Sequence, residues 1–143
     1  MQVVEILRRK GREVVSLPAE ANLLEASVLM AAKRIGAVLI AEPSGGIAGI
    51  LTERDMVRAL AQETVRALAQ PVSAHMTRAV ATCRETDSVE ALMEMMTQGR
   101  FRHVPVLDEA AKLCGLISIG DVVKAHIEET AREASHLRAF IGA

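Results

Sequence analysis

The chain says the same thing twice. "GILTERDMVRAL" runs from Gly49 to Leu60 and "GLISIGDVVKAH" from Gly115 to His126. Gly49 meets Gly115 and Asp55 meets Asp121, an offset of 66 residues. The register holds upstream without a gap: Val14 meets Val80, Met30 meets Met96, Arg34 meets Arg100 and Val38 meets Val104. Downstream, Val57, Arg58 and Ala59 meet Val123, Lys124 and Ala125. The stretches 14–60 and 80–126 are therefore two copies of one unit. A repeat of this length constrains the fold more than any single motif.

Each copy spells the same order of elements. A short β-rich piece ("EVVSL", "RAVATC") leads to a helix start. In the first copy Asn22 precedes "LLEASVLMAAKR" with Glu25 three residues on, a capping-box pattern; in the second Ser88 precedes "VEALMEMMTQG". Apolar residues then fall at helical spacing, at Leu23, Ala26 and Met30 and again at Val89, Leu92 and Met96. Two short apolar runs split by a turn follow, reading as a hairpin, and a last helix opens at Thr52 and at Ser118. The unit is β-α-β-β-α. One such unit buries too little surface to be secure alone, so two packed by a pseudo-twofold axis are expected. The fold class is α+β, an α/β sandwich of small mixed sheets with helices outside. The expected organisation is an N-terminal helical segment (1–12), unit one (13–62), a connecting helix and turn (63–76), unit two (77–127) and a C-terminal helical tail (128–143).

Composition narrows the function classes. Half of the 143 residues are hydrophobic, yet there are only two Phe and no Tyr or Trp, so the core must be aliphatic. Seventeen basic against eighteen acidic residues leave no electrostatic footprint for nucleic acid or an anionic membrane. Cys83 and Cys114 form no CxxC pair and read as buried thiols. The start, "MQVVEILRRKG", carries Glu5 before any long apolar run and is not read as a signal peptide; the longest charge-free apolar run, Ile35 to Ala41, is too short to cross a bilayer. A cytoplasmic protein is expected. His75, His126 and His136 have no acid or thiol at ligand spacing, so no metal site is expected, and no nucleophile–base–acid set marks an enzyme.

The repeat, the element order and both Gly-h-h-[Ser/Thr]-x-x-Asp phrases resemble the CBS domain family, named for cystathionine β-synthase. So does the stretch "RFRHVPVLD". The resemblance covers nearly the whole chain and implies a stand-alone tandem pair, a Bateman module. It implies regulation by an adenosine-containing ligand (AMP, ADP, ATP, NAD or S-adenosylmethionine) in the clefts between units, assembly as a homodimer, and a regulated protein partner. No cofactor is required beyond that ligand.

Two readings of the repeated phrase stand side by side. In one, Thr52 with Asp55 and Ser118 with Asp121 are plain capping boxes, contributing roughly 0.5–2 kcal/mol each. In the other, which the resemblance favours, Asp55 and Asp121 each grip the vicinal diol of a ribose with two carboxylate oxygens. Thr52 and Ser118 then face phosphate at a helix start, with Arg54 in the first copy and Arg102 and His103 in the second as cations. Adenine would lie against aliphatic walls and strand backbone at Val38, Ile40, Val104, Pro105 and Val106. Arg34 and Arg100 are further cations near the hairpins. Gly49 and Gly115, each inside a strand, mark a close approach, by a base or by neighbouring chain. Since Arg54 has Gly120 as its counterpart, the two sites are expected to differ. The alternative function is a constitutive dimerisation or scaffold module whose sites are vestigial.

Overall fold

A computed structural model describes residues 1–142. It contains five α-helices and two three-stranded mixed sheets. In the first copy, β1 (Ser16–Pro18) pairs parallel with β2 (Ala37–Ala41), which pairs antiparallel with β3 (Ile47–Thr52). Helix α2 (Leu23–Lys33) joins β1 to β2, and α3 (Glu53–Glu63) leaves β3. The second copy repeats this with β4 (Cys83–Arg84), α4 (Val89–Gly99), β5 (His103–Leu107), β6 (Leu113–Ser118) and α5 (Ile119–Gly142). Helix α1 (Val3–Lys10) precedes the first copy.

Local signals explain the boundaries. The Asn22 side chain accepts the Glu25 N–H at 2.8 Å, and Ser88 Oγ accepts that of Ala91 at 3.1 Å. Both helices end on an arginine in left-handed backbone, Arg34 and Arg100, each at φ 56°. Glycine is the usual residue there, and an arginine carries a strain of roughly 1 kcal/mol. That role accounts for both arginines as helix terminators. The connecting stretch forms two 3₁₀ turns, Thr64–Ala69 and Val72–Ala74.

The cores obey the same register as the sequence. Leu23 and Val89, Ala26 and Leu92, Met30 and Met96, Val38 and Val104, Ile40 and Val106, Leu51 and Ile117, and Ala59 and Ala125 are all buried. Apolar stripes on helices meet the inner faces of short central strands, and aliphatic volume alone fills each core.

Each core is closed by a segment from outside the 66-residue register. Packing divides the chain into two compact units. One comprises Glu13–Ala81 with Asp108–Cys114; the other comprises Met1–Arg12, Thr82–Leu107 and the chain from Gly115 on. In the former, Leu23 N–H donates to Gln70 O at 3.0 Å and Val72 N–H to Ala21 O at 2.7 Å. In the latter, Val89 N–H donates to Met1 O at 2.9 Å and Val3 N–H to Asp87 O at 2.9 Å. Gln70 thus matches Met1, Val72 matches Val3 and Met76 matches Leu7, at an offset of 69 residues. The segment that precedes each copy in sequence completes the other copy.

These closing segments explain the two strand glycines. A Cβ on Gly49 would lie 2.7 Å from Thr77 O and 2.8 Å from Met76 Sδ. A Cβ on Gly115 would lie 2.7 Å from Leu7 Cδ2. The close approach expected at both glycines is made by the protein's own chain. The obstacles differ: fixed backbone at Gly49, a flexible side chain at Gly115. Gly49→Ala should therefore destabilise by about 1–3 kcal/mol, and Gly115→Ala by clearly less. Urea denaturation of both variants measures this, and an equal or reversed order would contradict it.

Candidate functional site

The repeated phrase builds the same turn in both copies. Residues Thr52 and Ser118 end their strands and precede the next helix. Pairing of Ala37 with Thr52 sets the start of β2 beside this turn, and Glu53 N–H donates to Gly36 O at 3.1 Å. The equivalent bond in the second copy, Ile119 N–H to Arg102 O at 2.8 Å, brings Arg102 beside Ser118.

Both turns are reciprocal capping boxes. Asp55 Oδ2 accepts the Thr52 N–H at 3.0 Å and its hydroxyl at 3.1 Å, while Asp55 N–H donates to Thr52 Oγ1 at 3.2 Å. In the second copy Asp121 Oδ2 accepts the Ser118 N–H and hydroxyl, both at 2.9 Å, and Asp121 N–H donates to Ser118 Oγ at 3.2 Å. The shorter aspartate closes the box here as Glu5 does at the start of α1.

Beyond the box the copies part. Asp55 is only 3% exposed. The Thr77 hydroxyl donates to Oδ1 at 3.2 Å and to Oδ2 at 3.3 Å, and Arg58 donates to Oδ1 at 3.2 Å. Both carboxylate oxygens are taken. The Asp121 side chain is 23% exposed. Lys10 Nζ donates to its Oδ2 at 2.7 Å and to Leu116 O at 2.9 Å. Every bond converges on Oδ2, and among the described residues Oδ1 has no hydrogen-bond partner. Burial pushes the Asp121 carboxyl up, but the Lys10 hydrogen bond and charge, with the Ser118 N–H and hydroxyl, outweigh it and hold the group below the usual carboxylate range.

The other expected site residues fall into two groups. Arg54 and Arg102 are exposed, and His103 is half-buried at the start of β5. Val38, Ile40, Val104 and Val106 have no exposed surface and Pro105 is buried, so these side chains fill the cores and form no open wall for a base. The side chains expected as aliphatic walls thus belong to the cores, because β2 and β5 are the central strands, where alternate positions on both faces are covered; of that expectation the strand backbone remains. Strand β4 meets β5 only at Val106 and Leu107, so the edge at Val104 and Pro105 lies beyond its reach. Each helix start also has little to give an anion. Of the first three N–H groups of α5, Ile119's goes to Arg102 O and Asp121's to Ser118 Oγ, leaving that of Gly120.

Three partners escaped the sequence: Thr77, Arg58 and Lys10. The 69-residue match of Met1–Leu7 with Gln70–Met76 carried a signal for the closing segments, but Lys10 has Ala79 as its counterpart and no periodic cue. Among the described residues, no cluster of three His, Cys, Asp or Glu side chains is placed to hold a metal ion.

Two repeats of this order, each ending in a strand–turn–helix closed by a capping carboxylate, define a tandem pair of α+β units. The chain belongs to the CBS domain family, which it matches over residues 3–62 and 72–128. It is similar to a CBS-domain containing protein from Agrobacterium tumefaciens of solved structure, with 45% identity, TM-score 0.85, and coverage of 88% of this chain and 99% of that one. A CBS domain protein from Pyrobaculum aerophilum, solved in complex with AMP, is 29% identical at TM-score 0.76 over 85% of this chain and 89% of that one. The CBS domain-containing protein CBSX3, mitochondrial, of Arabidopsis thaliana is 28% identical over 97% of this chain and 71% of its own length. Of several longer curated relatives the chain spans only 21% to 26%.

The Lys10 contact yields a titration test. Since the folded-state value of Asp121 is depressed, its stabilisation is present above the ordinary carboxylate value and is lost as pH falls through the folded one. Lys10→Met should raise the Asp121 value toward the ordinary range. The stability difference between wild type and variant should be largest near neutrality and shrink below about pH 4. Carboxyl ¹³C titration with denaturation at matched pH checks both. A wild-type Asp121 titrating above the ordinary value would contradict the assignment.

Proposed function

We propose that the chain is a regulatory module that binds an adenosine-containing small molecule (AMP, ADP, ATP, NAD or S-adenosylmethionine). It acts in the cytoplasm as a homodimer, through a protein it regulates. Family membership and the AMP complex of the Pyrobaculum relative support the ligand class. The observation that carries the reading is the Asp121 carboxylate: ionised, partly exposed, and with Oδ1 uncommitted.

Asp121 accepts one ribose hydroxyl at Oδ1, and the second displaces or joins Lys10 at Oδ2. Phosphate is met by the Ser118 hydroxyl, the Gly120 N–H and the Arg102 and His103 side chains. The base lies along the β5 edge at Val104 and Pro105, read through backbone. In the first copy, ribose at Asp55 would have to break the Thr77 and Arg58 bonds, and Thr52 and Arg54 alone would remain for phosphate. The second copy is therefore the stronger site. The alternative, a scaffold with vestigial sites, is favoured at the first copy alone, where the carboxylate is saturated.

Thermal denaturation with each candidate ligand tests the proposal. A binder stabilises by an amount that grows with concentration, about 2.7 kcal/mol at a hundredfold excess over Kd. Asp121→Asn should abolish the ligand-dependent rise. Asp55→Asn should lower the ligand-free stability by about 1–3 kcal/mol, because its new amide group meets donors, yet keep the rise. If no ligand moves the transition, the sensor reading fails and the scaffold stands. If Asp55→Asn alone removes the rise, the site assignment is reversed.

A further inference from the structure

Helix α5 runs on after its contacts with the core end. Val122 and Ala125 are buried, but every residue from Thr130 to Gly142 is exposed. A lone helical arm of that length is marginal in water and gains its stability from packing an apolar face. The arm has one. Val123, Ile127, Thr130, Ala134, Leu137 and Ile141 succeed each other at alternating spacings of four and three, the seam of a two-stranded coiled coil. Ile127, Leu137 and Ile141 are 61%, 60% and 75% exposed.

The charges beside the seam select an occupant. Glu133 lies just before the inner position Ala134, and Arg138 just after the inner position Leu137. In a parallel, in-register pair of identical helices these flanking positions face each other across the seam, so Glu133 meets the second copy's arginine, twice by symmetry. Antiparallel pairing sets Lys124 and Arg138 on facing flanks, where they repel, and gives Glu133 no lysine or arginine. A membrane surface fits poorly, because Asp121, Glu128, Glu129 and Glu133 outnumber Lys124, Arg132 and Arg138 on this helix.

We propose that the Val123–Ile141 face of α5 is the surface on which a second copy of this chain docks, as a short parallel coiled coil. This rests on the homodimer reading above and assigns its surface. Small Thr130 and Ala134 at the centre allow close approach but contribute little burial, so the association is modest and reversible.

Sedimentation equilibrium of the full chain over a dilution series at low salt tests it. Wild type should dimerise. Leu137→Asp, at a side chain outside the core, should give monomer with unchanged folding by circular dichroism. Glu133→Arg or Arg138→Glu alone should each weaken the dimer by roughly tenfold, as both symmetric pairs turn from attraction to repulsion. The two together should restore it. A chain that is monomeric throughout removes the homodimer reading and the seam with it. A dimer indifferent to Leu137→Asp leaves the homodimer standing and overturns this surface. Dissociation by Leu137→Asp without restoration in the double charge swap overturns the parallel arrangement.

Discussion

At each strand-to-helix turn a single short carboxylate holds the last strand N–H and hydroxyl while its own N–H returns to that hydroxyl. That reciprocal box fixes where β3 and β6 stop and where α3 and α5 begin. The helix direction it sets carries Ala59 and Ala125 into their cores. It also commits part of each carboxylate to the fold before any ligand arrives. The turn thus serves stability first, and what a third group does to the carboxylate decides how much of it is left uncommitted.

That third group comes from the closing segments, and they are not alike. In the first copy the Met76–Thr77 stretch runs beside β3, with Ile50 and Thr77 exchanging backbone bonds at 2.9 and 2.8 Å, and its hydroxyl saturates Asp55. In the second copy helix α1 lays Leu7 on Gly115 and sends Lys10 to Asp121. The Thr77 hydroxyl and Arg58 together occupy the buried Asp55 carboxylate, whereas Lys10 binds a single oxygen of the partly exposed Asp121. The two turns thus differ in how far their carboxylates are occupied, and Thr77 and Lys10, the main source of that difference, lie outside the repeated phrase.

Most of the fold was legible because the repeat doubles every signal. Met30 and Met96, Val38 and Val104, and the caps Asn22 and Ser88 are each confirmed by a twin at a fixed offset, and periodicity assigns their elements. The site was legible only in part. Thr52, Asp55, Ser118 and Asp121 stand out because spacing along one turn brings them together. Lys10 and Thr77 reach the carboxylates through tertiary packing, which leaves no local pattern, and Arg34 and Arg100 read as cations because sequence does not display a positive φ. At Val38, Ile40, Val104 and Val106 the sequence could not separate a base-lining wall from plain core, and the structure shows these side chains buried. In central strands an apolar residue serves the core first, and binding patterns there are indistinguishable from burial.

The central claim is that two identical turns bind differently because Asp55 is closed and Asp121 is open. Its most direct test follows the two side-chain carboxyl ¹³C resonances by NMR while AMP is titrated into the protein. The Asp121 resonance should move with the first equivalent of bound nucleotide while that of Asp55 stays in place. Simultaneous movement of both, or movement of Asp55 first, would contradict the claim.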